Sequence, residues 1–335
     1  MFTPRRMLVT GAAGFIGCNF VKMILSKYHD SEIVSFDKLT YAGSLENLKA
    51  CLDSDRHTFV QGDILDRNLV AKCLRKYEID TIVHFAAESH VDNSIERPEI
   101  FLQTNVLGTF ELLNEAKKYW LDERRLTGHD CRFHHVSTDE VYGSLQADEQ
   151  GFSEVSPYAP NSPYSASKAG SDHIVRAYYH TYDLPITMSN CSNNFGPYQH
   201  REKLIPVVIK SCLNHQKIPV YGDGSNIRDW LYVEDHCDAI DVILRRGRIG
   251  EVYNVGGNNE LKNIDLVKSI CAVLDQVHPG PFAYEQLIDF VQDRMGHDFR
   301  YAIDAEKMRS DLGWHVDASG FKDNLHRTIM YYVEN

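Results

Sequence analysis

Two carboxylates, Asp139 and Glu140, stand side by side in the segment HHVSTDEVYGS, where an apolar stretch from Phe133 gives way to a turn. Adjacent carboxyl groups can divide acid and base work, because burial and like charge keep one of them protonated. The alternative interpretation is a helix cap, since Ser137 and Glu140 fit the spacing of a capping box. The segment alone supports both interpretations.

A second pair of residues suited to proton transfer, Tyr164 and Lys168, lies in PYSASKAGSDHIVRAYY. Their spacing of four places both on one face of the helix that this segment predicts after Pro163. A nearby positive charge stabilises phenolate and lowers the pKa of a tyrosine, which can then take a proton from a hydroxyl as hydride leaves carbon. A bare Y-x-x-x-K also occurs in ordinary amphipathic helices, so its meaning depends on the motifs before it.

The segment TGAAGFIG places Gly11, Gly14 and Gly17 three residues apart, between a predicted strand and a predicted helix. Glycine there permits a tight turn close to a pyrophosphate, and the helix N-terminus favours phosphate. Asp37 ends the second predicted strand, where a carboxylate accepts hydrogen bonds from ribose hydroxyls and repels a 2′-phosphate. This pattern predicts NAD rather than NADP, with Lys38 beside it weakening the exclusion of the phosphate.

Asp63, in QGD after the third predicted strand, has two interpretations. Its carboxylate could contact the adenine of a bound dinucleotide, or it could cap the helix that follows. The sequence favours neither.

Predicted strands and helices, which must position these groups, alternate along the chain. Helical patterns such as RNLVAKCLRKYE separate the predicted strands, which are RMLVT, EIVSFD, HTFVQGD, DTIVHFAA, RFHHVS, LPITMSN and GEVYNVGG. The alternation predicts an α/β fold with a Rossmann-type, doubly wound parallel sheet. We expect an NAD-binding domain of residues 1–190 plus about 231–258. A smaller, discontinuous substrate-binding lobe of about 191–230 plus 259–335 would leave a cleft between them.

Composition narrows the class of protein further. The 335 residues carry a formal net charge of −12, which argues against a nucleic-acid partner. No apolar run is long enough to span a membrane, so we expect a cytoplasmic protein without a targeting segment. The eight cysteines are scattered, which predicts reduced thiols and no metal site. Because the chain is acidic overall, an anionic ligand would need arginines in its own binding site.

With these motifs assembled, the sequence resembles the extended short-chain dehydrogenase/reductase family, and within it the nucleotide-sugar 4,6-dehydratases that act on dTDP-glucose. The similarity covers nearly the whole chain and includes VTGAAGFIGCNF, DKLTYAGSLENL, HFAAESHVDNS, STDEVYG, YAPNSPYSASKAGSD, CSNNFGPYQHREKLIP, RDWLYVEDH, YNVGGNNELKNI and DRMGHDFRYAID. It implies NAD as cofactor and a nucleoside diphosphate sugar as substrate. It also implies a homodimer that pairs the helix near residues 100–118 with the helix carrying Tyr164.

The resemblance assigns catalytic roles. It makes Glu140 the base at C5 of the hexose and Asp139 the acid that helps the C6 hydroxyl leave. Tyr164 removes the proton of the 4-hydroxyl beside Lys168, and Thr138 hydrogen-bonds O4. The implied reaction oxidises C4, loses water across C5–C6 and returns hydride to C6, which gives dTDP-4-keto-6-deoxyglucose without net redox change.

Three alternatives remain open. The same reaction could act on UDP-glucose, because a methyl group on the base is worth only about 1–3 kcal/mol of discrimination. A nucleotide-sugar epimerase would not require Asp139 or Glu140. An NAD-sensing Rossmann protein without catalytic activity would lack the Tyr164–Lys168 pair.

The resemblance also implies a wider set of binding residues. For the cofactor these are Gly11, Gly14, Phe15, Ile16, Gly17, Asp37, Lys38, Thr40, Asp63, Ile64, Ala86, Tyr164 and Lys168. For the substrate they are Ser89, Asn193, Lys203, Leu204, Pro219, Tyr221, Arg228, Asn263, Arg294 and His297. Arg228 and Arg294 would bind the diphosphate. The chain departs from the family pattern at Ala13, Cys18, Phe299 and Asn190, the last replacing an arginine with an expected effect on packing near the nicotinamide.

Overall fold

The computed structural model describes residues 2–335. Its strands are β1 (Arg6–Thr10), β2 (Glu32–Asp37), β3 (His57–Gln61), β4 (Thr81–His84), β5 (Arg132–Thr138), β6 (Ile186–Cys191), β7 (Asn193–Phe195), β8 (Ile218–Tyr221), β9 (Ile227–Tyr232), β10 (Val252–Val255), β11 (Glu260–Lys262) and β12 (Ile288–Val291). A seven-stranded parallel sheet has the order β10-β6-β5-β4-β1-β2-β3. These seven strands are the ones that the sequence predicted, and the doubly wound α/β class is confirmed.

Helices cover both faces of this sheet. The α-helices are α1 (Phe15–Lys27), α2 (Arg67–Lys76), α3 (Val91–Glu96), α4 (Pro98–Phe101), α5 (Thr109–Lys117), α6 (Pro163–Tyr182), α7 (Leu204–Leu213), α8 (Val233–Arg246), α9 (Asn263–Val277), α10 (Glu306–Leu312) and α11 (Phe321–Glu334). Short 3₁₀ turns occur at Leu45–Cys51, Asp139–Tyr142, Tyr284–Leu287 and Ala318–Gly320, and π-helical turns at Leu102–Gly108 and Lys118–Glu123. Helices α1 and α8 pack on one face of the sheet, and α2, α5 and α6 pack on the other.

The chain order places a crevice at the centre of the sheet. From β1 the chain proceeds outward through β2 and β3, then returns to β4 on the other side of β1 and continues through β5 and β6. Ligands of open α/β sheets bind at the carboxyl ends of the strands where this reversal occurs. The glycine loop follows β1 and the paired carboxylates follow β5, so both reach the same edge of the sheet.

A smaller set of elements builds a second apolar core. Strands β7, β9 and β11 form one sheet, and β8 and β12 form another. Helices α7, α9 and α11 pack around buried aromatic residues that include Phe195, Trp230 and Tyr284. Between these segments the chain returns to the large sheet, where β10 pairs with β6. Within residues 2–335, no helix is both long and apolar enough to cross a membrane.

Candidate active site

The glycine loop has no room for side chains at two of its three glycines. Gly11 has a φ of 67°, and a Cβ there would lie 2.6 Å from the backbone nitrogen of Ala86. A Cβ on Gly17 would lie 2.2 Å from the carbonyl oxygen of Gly11. Helix α1 starts after Gly14 without a side-chain cap, so its first-turn N–H groups stay available. This glycine-lined turn at an uncapped helix N-terminus fits the pyrophosphate of a dinucleotide.

Asp37 ends β2 beside the glycine loop and helps to fix its shape. Its carboxylate accepts hydrogen bonds from the backbone nitrogens of Ala13 at 2.9 Å and Leu39 at 2.8 Å. Each carboxylate oxygen keeps a further lone pair, so the side chain can also accept from ribose hydroxyls. Burial raises the pKa of Asp37, and the two backbone donors oppose that rise.

Asp63 does not cap the following helix. Helix α2 is capped by Asp66, whose carboxylate accepts from the backbone nitrogen of Leu69 at 3.0 Å. Asp63 instead accepts from the backbone of Leu65 and forms an ion pair of 2.7 Å with Lys38. The capping interpretation is therefore wrong, and the carboxylate lies at the rim of the crevice.

A cavity of about 490 Å³ occupies the crevice at the carboxyl ends of the strands. Every residue predicted for the cofactor lines it: Gly11, Gly14, Phe15, Ile16, Gly17, Asp37, Lys38, Thr40, Asp63, Ile64, Ala86, Tyr164 and Lys168. Thr138, Asp139 and Glu140 line the same cavity. The structure therefore brings the glycine loop, the Tyr–Lys pair and the two carboxylates together, although they are far apart in sequence.

The turn after β5 is capped by Thr138 and not by Ser137. The Thr138 hydroxyl accepts from the backbone nitrogen of Glu140 at 3.3 Å. Ser137 donates its hydroxyl hydrogen to Asp172 at 2.8 Å. The capping box suggested by Ser137 and Glu140 is therefore wrong, because strand alternation turns Ser137 toward helix α6.

Asp139 and Glu140 are neighbours in sequence but have different surroundings. Burial raises the pKa of Asp139 well above its usual range, and the charge of Glu140 raises it further. Its Oδ2 atom is buried without a hydrogen-bond partner, as expected for a protonated acid awaiting an acceptor. Burial also raises the pKa of Glu140, but the charges of Lys203 and Arg228 lower it. Asp139 therefore favours the protonated form, and Glu140 has cations that support the carboxylate.

Tyr164 and Lys168 lie one turn apart on α6, whose first turn carries a capping box between Ser162 and Ser165. The Lys168 ammonium donates to the carbonyl oxygen of Val136 at 2.9 Å, and burial lowers its pKa. Burial raises the pKa of Tyr164 well above its usual value, and the charge of Glu140 adds to the rise. The positive charge of Lys168 on the next helical turn, and that of a bound nicotinamide, would both oppose this rise.

A second cavity of about 300 Å³ adjoins the first. It is lined by the residues predicted for the substrate other than Ser89: Asn193, Lys203, Leu204, Pro219, Tyr221, Arg228, Asn263, Arg294 and His297. Ser89 lines the first cavity, and its carbonyl oxygen accepts from the Lys203 ammonium at 2.8 Å. Glu140, Asn193 and Lys203 line both cavities, so the two spaces meet beside the paired carboxylates.

The two predicted diphosphate ligands differ in their present bonding. Arg228 is buried, and its guanidinium donates to the carbonyl oxygens of Ile227, Asp298 and Phe299. Arg294 lies over the ring of Tyr221 at 4.6 Å, and its Nε is 3.5 Å from Asp92. Arg294 is therefore the more available of the two for a phosphate.

Among the other polar residues of the second cavity, some already have a hydrogen-bond partner and others have none. His297 hydrogen-bonds Asp293 at 2.6 Å. Buried oxygens of Asn193 and Asn263 lack partners, as does the indole nitrogen of Trp230 in the same cavity. Trp230 lies in the RDWLYVEDH motif, but the sequence did not predict it as a ligand contact. Its buried, unpaired N–H makes it a further candidate to hydrogen-bond the ligand.

The departure at Asn190 is accommodated by a buried polar network. Its amide donates to the hydroxyls of Tyr142 at 2.9 Å and Tyr158 at 3.1 Å. Tyr142 in turn donates to Asn254 at 2.9 Å. The residue thus joins β6 to the segment before α6, on the side of the sheet occupied by the Tyr–Lys helix.

Together, the parallel sheet, the glycine turn and the Tyr–Lys pair define an NAD-binding protein of the extended short-chain dehydrogenase/reductase class. The profile of the GDP-mannose 4,6 dehydratase family matches residues 8–327. A dTDP-glucose 4,6-dehydratase of Neisseria meningitidis is 51% identical over 335 residues, which is 99% of this chain and 94% of that protein. The chain therefore belongs to this dehydratase family and, within it, to the group of dTDP-glucose 4,6-dehydratases.

Two further relatives agree with this grouping. A dTDP-glucose 4,6-dehydratase of Xanthomonas campestris is 52% identical over 333 residues, with 98% of this chain and 93% of that protein covered. Among solved structures, DesIV, a dTDP-glucose 4,6-dehydratase from Streptomyces venezuelae with NAD and TDP bound, superposes with a TM-score of 0.88. It is 46% identical, and the match covers 98% of this chain and 97% of that one.

Proposed function

We propose that this chain is an NAD-dependent lyase that converts dTDP-glucose to dTDP-4-keto-6-deoxyglucose. The observation that carries the proposal is the meeting of two cavities at Glu140, one shaped for a dinucleotide and the other containing arginines. The names of the relatives and the NAD and TDP bound to DesIV support the choice of substrate and cofactor. NAD held by the glycine loop and Asp37 would supply the hydride acceptor for C4 of the hexose and the hydride donor for C6.

The Tyr164 phenol is the group that we assign to the 4-hydroxyl of the sugar. Tyr164 and Thr138 line the same cavity, and the Thr138 hydroxyl opposes the rise in the pKa of Tyr164. Lys168 lies one turn further along α6 and supplies a positive charge that favours phenolate. Removing the 4-hydroxyl proton drives electron density onto C4 as its hydride leaves.

The paired carboxyls then act on C5 and C6. A ketone at C4 makes the C5 proton acidic, and Glu140, with Lys203 and Arg228 nearby, is the group suited to remove it. Asp139 keeps its proton because of burial and the neighbouring charge, and its unpartnered Oδ2 can donate that proton to the departing C6 hydroxyl. The pair titrates as a unit, and each member supports the other's protonation state.

The remaining assignments complete the proposal. Arg294, together with Lys203, holds the diphosphate, and Asn193, Asn263 and the other predicted substrate residues line the sugar nucleotide. The NAD-binding domain comprises residues 1–190 plus about 231–258, and the substrate-binding lobe the rest. The cytoplasm is the proposed location, consistent with eight buried free cysteines.

A homodimer is proposed from an exposed apolar surface. Leu102 and Leu107, in the π-helical turn that leads into α5, are 55% and 52% exposed. Phe110 in the first turn of α5 is 37% exposed, and Tyr182 at the end of α6 is 44% exposed. These residues lie on the two helices expected to pair with a second copy. Light scattering should give twice the chain mass, and Leu107→Glu should yield monomers. Val155→Glu is the control, because Val155 is 92% exposed on a different loop.

Incubation with dTDP-glucose tests the reaction directly. We expect a 4-keto product lighter by one water, with no accumulation of free NADH. A dTDP-hexose that keeps its C6 hydroxyl would indicate an epimerase, and an unchanged substrate would indicate a binding protein. A parallel incubation with UDP-glucose measures the selectivity for the base.

Glu140→Gln tests the assignment of the base. Oxidation at C4 should continue, so the bound cofactor becomes reduced, while water loss slows by roughly 10²–10⁴-fold. Glu115→Gln is the control, because Glu115 is a buried glutamate on α5 that pairs with Lys118 and lines neither cavity. Water loss at the wild-type rate in Glu140→Gln would exclude Glu140 as the base.

A further inference from the structure

A buried carboxylate, Asp172, continues the row of catalytic residues along α6. It follows Lys168 by four residues, as Lys168 follows Tyr164, so the three share one face of the helix. Asp172 is only 2% exposed and lines neither cavity. A carboxylate this deep is unfavourable unless it is paired or hydrogen-bonded, so its partners indicate why it is there.

Three polar groups surround the Asp172 carboxylate. Ser137 donates to Oδ2 at 2.8 Å, and His135 Nε2 lies 3.1 Å from Oδ1. The Tyr158 hydroxyl is the third polar group, and it lowers the pKa of the Asp172 carboxyl. Burial keeps His135 neutral by lowering its pKa far below the usual value, so a hydrogen on Nε2 would give the carboxylate a second donor beside Ser137. Donors to a carboxylate favour its ionised form and oppose the effect of burial.

These contacts join the two segments that carry the proposed chemistry. His135 and Ser137 belong to β5, which ends at Thr138 immediately before the paired carboxylates. Asp172 belongs to α6, which carries Tyr164 and Lys168. The Lys168 ammonium also bonds β5, through the carbonyl of Val136. Asp172 and Lys168 therefore attach the helix to consecutive residues of the strand.

The charge of Asp172 also acts on Lys168. Burial lowers the pKa of this lysine, and the Asp172 carboxylate is the first influence that opposes the fall. In the reverse direction, the charge of Lys168 lowers the pKa of Asp172 more than that of His173 does. Asn190, which replaces an arginine of the family pattern, adds only a neutral amide beyond Tyr158. Lys168 is thus the main cation for Asp172 in this chain.

We propose that Asp172 is a positioning residue for the oxidation step, which keeps Lys168 in its ammonium form and holds helix α6 in register with the end of β5. This inference rests on the proposed function, because it concerns the acid–base pair of that reaction. Asp172 does not touch the substrate or the cofactor in this proposal. It acts through Lys168, whose charge the phenolate of Tyr164 requires.

The pH dependence of turnover on dTDP-glucose by Asp172→Asn tests the electrostatic part. The titratable groups facing Lys168 from neighbouring strands are His84 on β4, His135 on β5 and Cys191 on β6. The two histidines are held neutral by burial, and burial raises the pKa of Cys191 to about 12. On the side of Asp172 the facing groups are Tyr142, Tyr158 and His173.

None of the neutral groups around Lys168 should therefore lose a proton just above neutral pH. Loss of the Asp172 charge should move the alkaline limb of kcat about one pH unit lower. KM for dTDP-glucose should stay within about twofold of wild type, because Asp172 lines neither cavity. A lower kcat at every pH with an unshifted alkaline limb would overturn the proposal, since it would indicate a structural role only.

Asp241→Asn is the matched control. Asp241 is also a buried carboxylate on a helix, but it lies on α8 and pairs with Lys27 and Arg245 outside the cleft. Its replacement should lower stability and leave the pH profile of kcat unchanged. A shift of the limb in Asp241→Asn equal to that in Asp172→Asn would contradict a specific effect of Asp172 on Lys168.

A measurement that does not depend on turnover separates this inference from the proposed function. The pKa of Lys168 can be followed by NMR in the NAD-bound chain with ¹³C-labelled lysine, and Lys168→Arg identifies the signal. We expect that pKa to fall by about one unit in Asp172→Asn. An unchanged pKa would overturn the inference even if wild type is active. A wild-type chain inactive on dTDP-glucose would overturn the proposed function but not the Asp172–Lys168 interaction.

Discussion

The cavity of about 490 Å³ that we propose for NAD (the cofactor cavity) and the cavity of about 300 Å³ that we propose for the sugar nucleotide (the substrate cavity) meet at Glu140, but different parts of the chain fix their shapes. In the cofactor cavity the decisive contacts are between backbone atoms, because Gly11 and Gly17 leave no space for a Cβ. In the substrate cavity the decisive contacts are made by charged side chains, and Arg228 and Arg294 already have protein partners. Ligand binding in the cofactor cavity should therefore be weakened by added side-chain atoms. Ligand binding in the substrate cavity should be weakened by changes in hydrogen bonding and charge.

The largest effect is expected from Gly11→Ala in the cofactor cavity. The substitution combines a φ of 67° with a Cβ only 2.6 Å from backbone of the next loop. Left-handed strain and overpacking together should lower the free energy of unfolding by ~3 kcal/mol and abolish measurable NAD binding. Denaturant unfolding and calorimetric titration with NAD check both outcomes.

Gly313→Ala provides the control for backbone strain. Gly313 has nearly the same φ, 66°, but no atom lies within 4 Å of the Cβ position. We expect a loss of only about 1 kcal/mol and unchanged NAD affinity. Equal losses in the two variants would show that the close approach to Ala86 does not shape the cofactor cavity.

Asp172 is a buried carboxylate that lines neither cavity, so its ionisation should make the stability of the protein depend on pH. Burial raises the pKa of Asp172 from 3.8 to about 6. A raised folded-state pKa means that its stabilising contribution is complete below pH 3.8 and is lost as pH rises through about 6. Wild type should therefore lose up to about 3 kcal/mol relative to Asp172→Asn between pH 4 and pH 7.

Denaturant unfolding of both proteins across that pH range measures this difference. Asp172→Asn should become relatively more stable with rising pH, even though we expect it to be the poorer catalyst. A stability difference that does not change with pH would mean that Asp172 has an ordinary pKa. In that case, burial would not make the ionisation of Asp172 unfavourable.

The two arginines of the substrate cavity should respond differently to replacement by lysine. Arg228→Lys removes donors from buried carbonyl oxygens, so we expect stability to fall by roughly 2 kcal/mol. Arg294→Lys should leave stability nearly unchanged and raise KM for dTDP-glucose about tenfold, because a lysine cannot form a bidentate fork with phosphate. Thermal unfolding and steady-state kinetics separate the outcomes. An increase in KM confined to Arg228→Lys would indicate that Arg228, and not Arg294, binds the diphosphate.

The sequence predicted the cofactor side more completely than the rest of the site. Gly11, Gly14, Gly17 and Asp37 lie on consecutive elements, so a local pattern is enough to place them around one ligand. The seven strands of the sheet were likewise visible from short apolar runs between turns. Local signals succeed here because the βαβ unit folds around its own loop.

Long-range contacts account for what the sequence did not reveal. The bond from Ser137 to Asp172 joins β5 to α6 and cannot be read from the spacing that suggested a capping box. The occupied donors of Arg228 depend on residues about seventy positions later in the chain. The raised pKa of Tyr164 follows from burial, which depends on the packing of the whole crevice.

The smallest effect is expected at the exposed rim of the cofactor cavity. Lys38 pairs with Asp63 at 2.7 Å, but its side chain is 58% exposed, and such pairs contribute little in water. Lys38→Gln should change stability by less than about 0.5 kcal/mol and NAD affinity by less than threefold. NADP should still bind poorly, because Asp37 stays in place on the ribose side and repels the 2′-phosphate. Calorimetric titration with NAD and NADP provides the check. A large loss of NAD affinity would show that charge as well as backbone shape governs the cofactor cavity, and the contrast with the substrate cavity would then disappear.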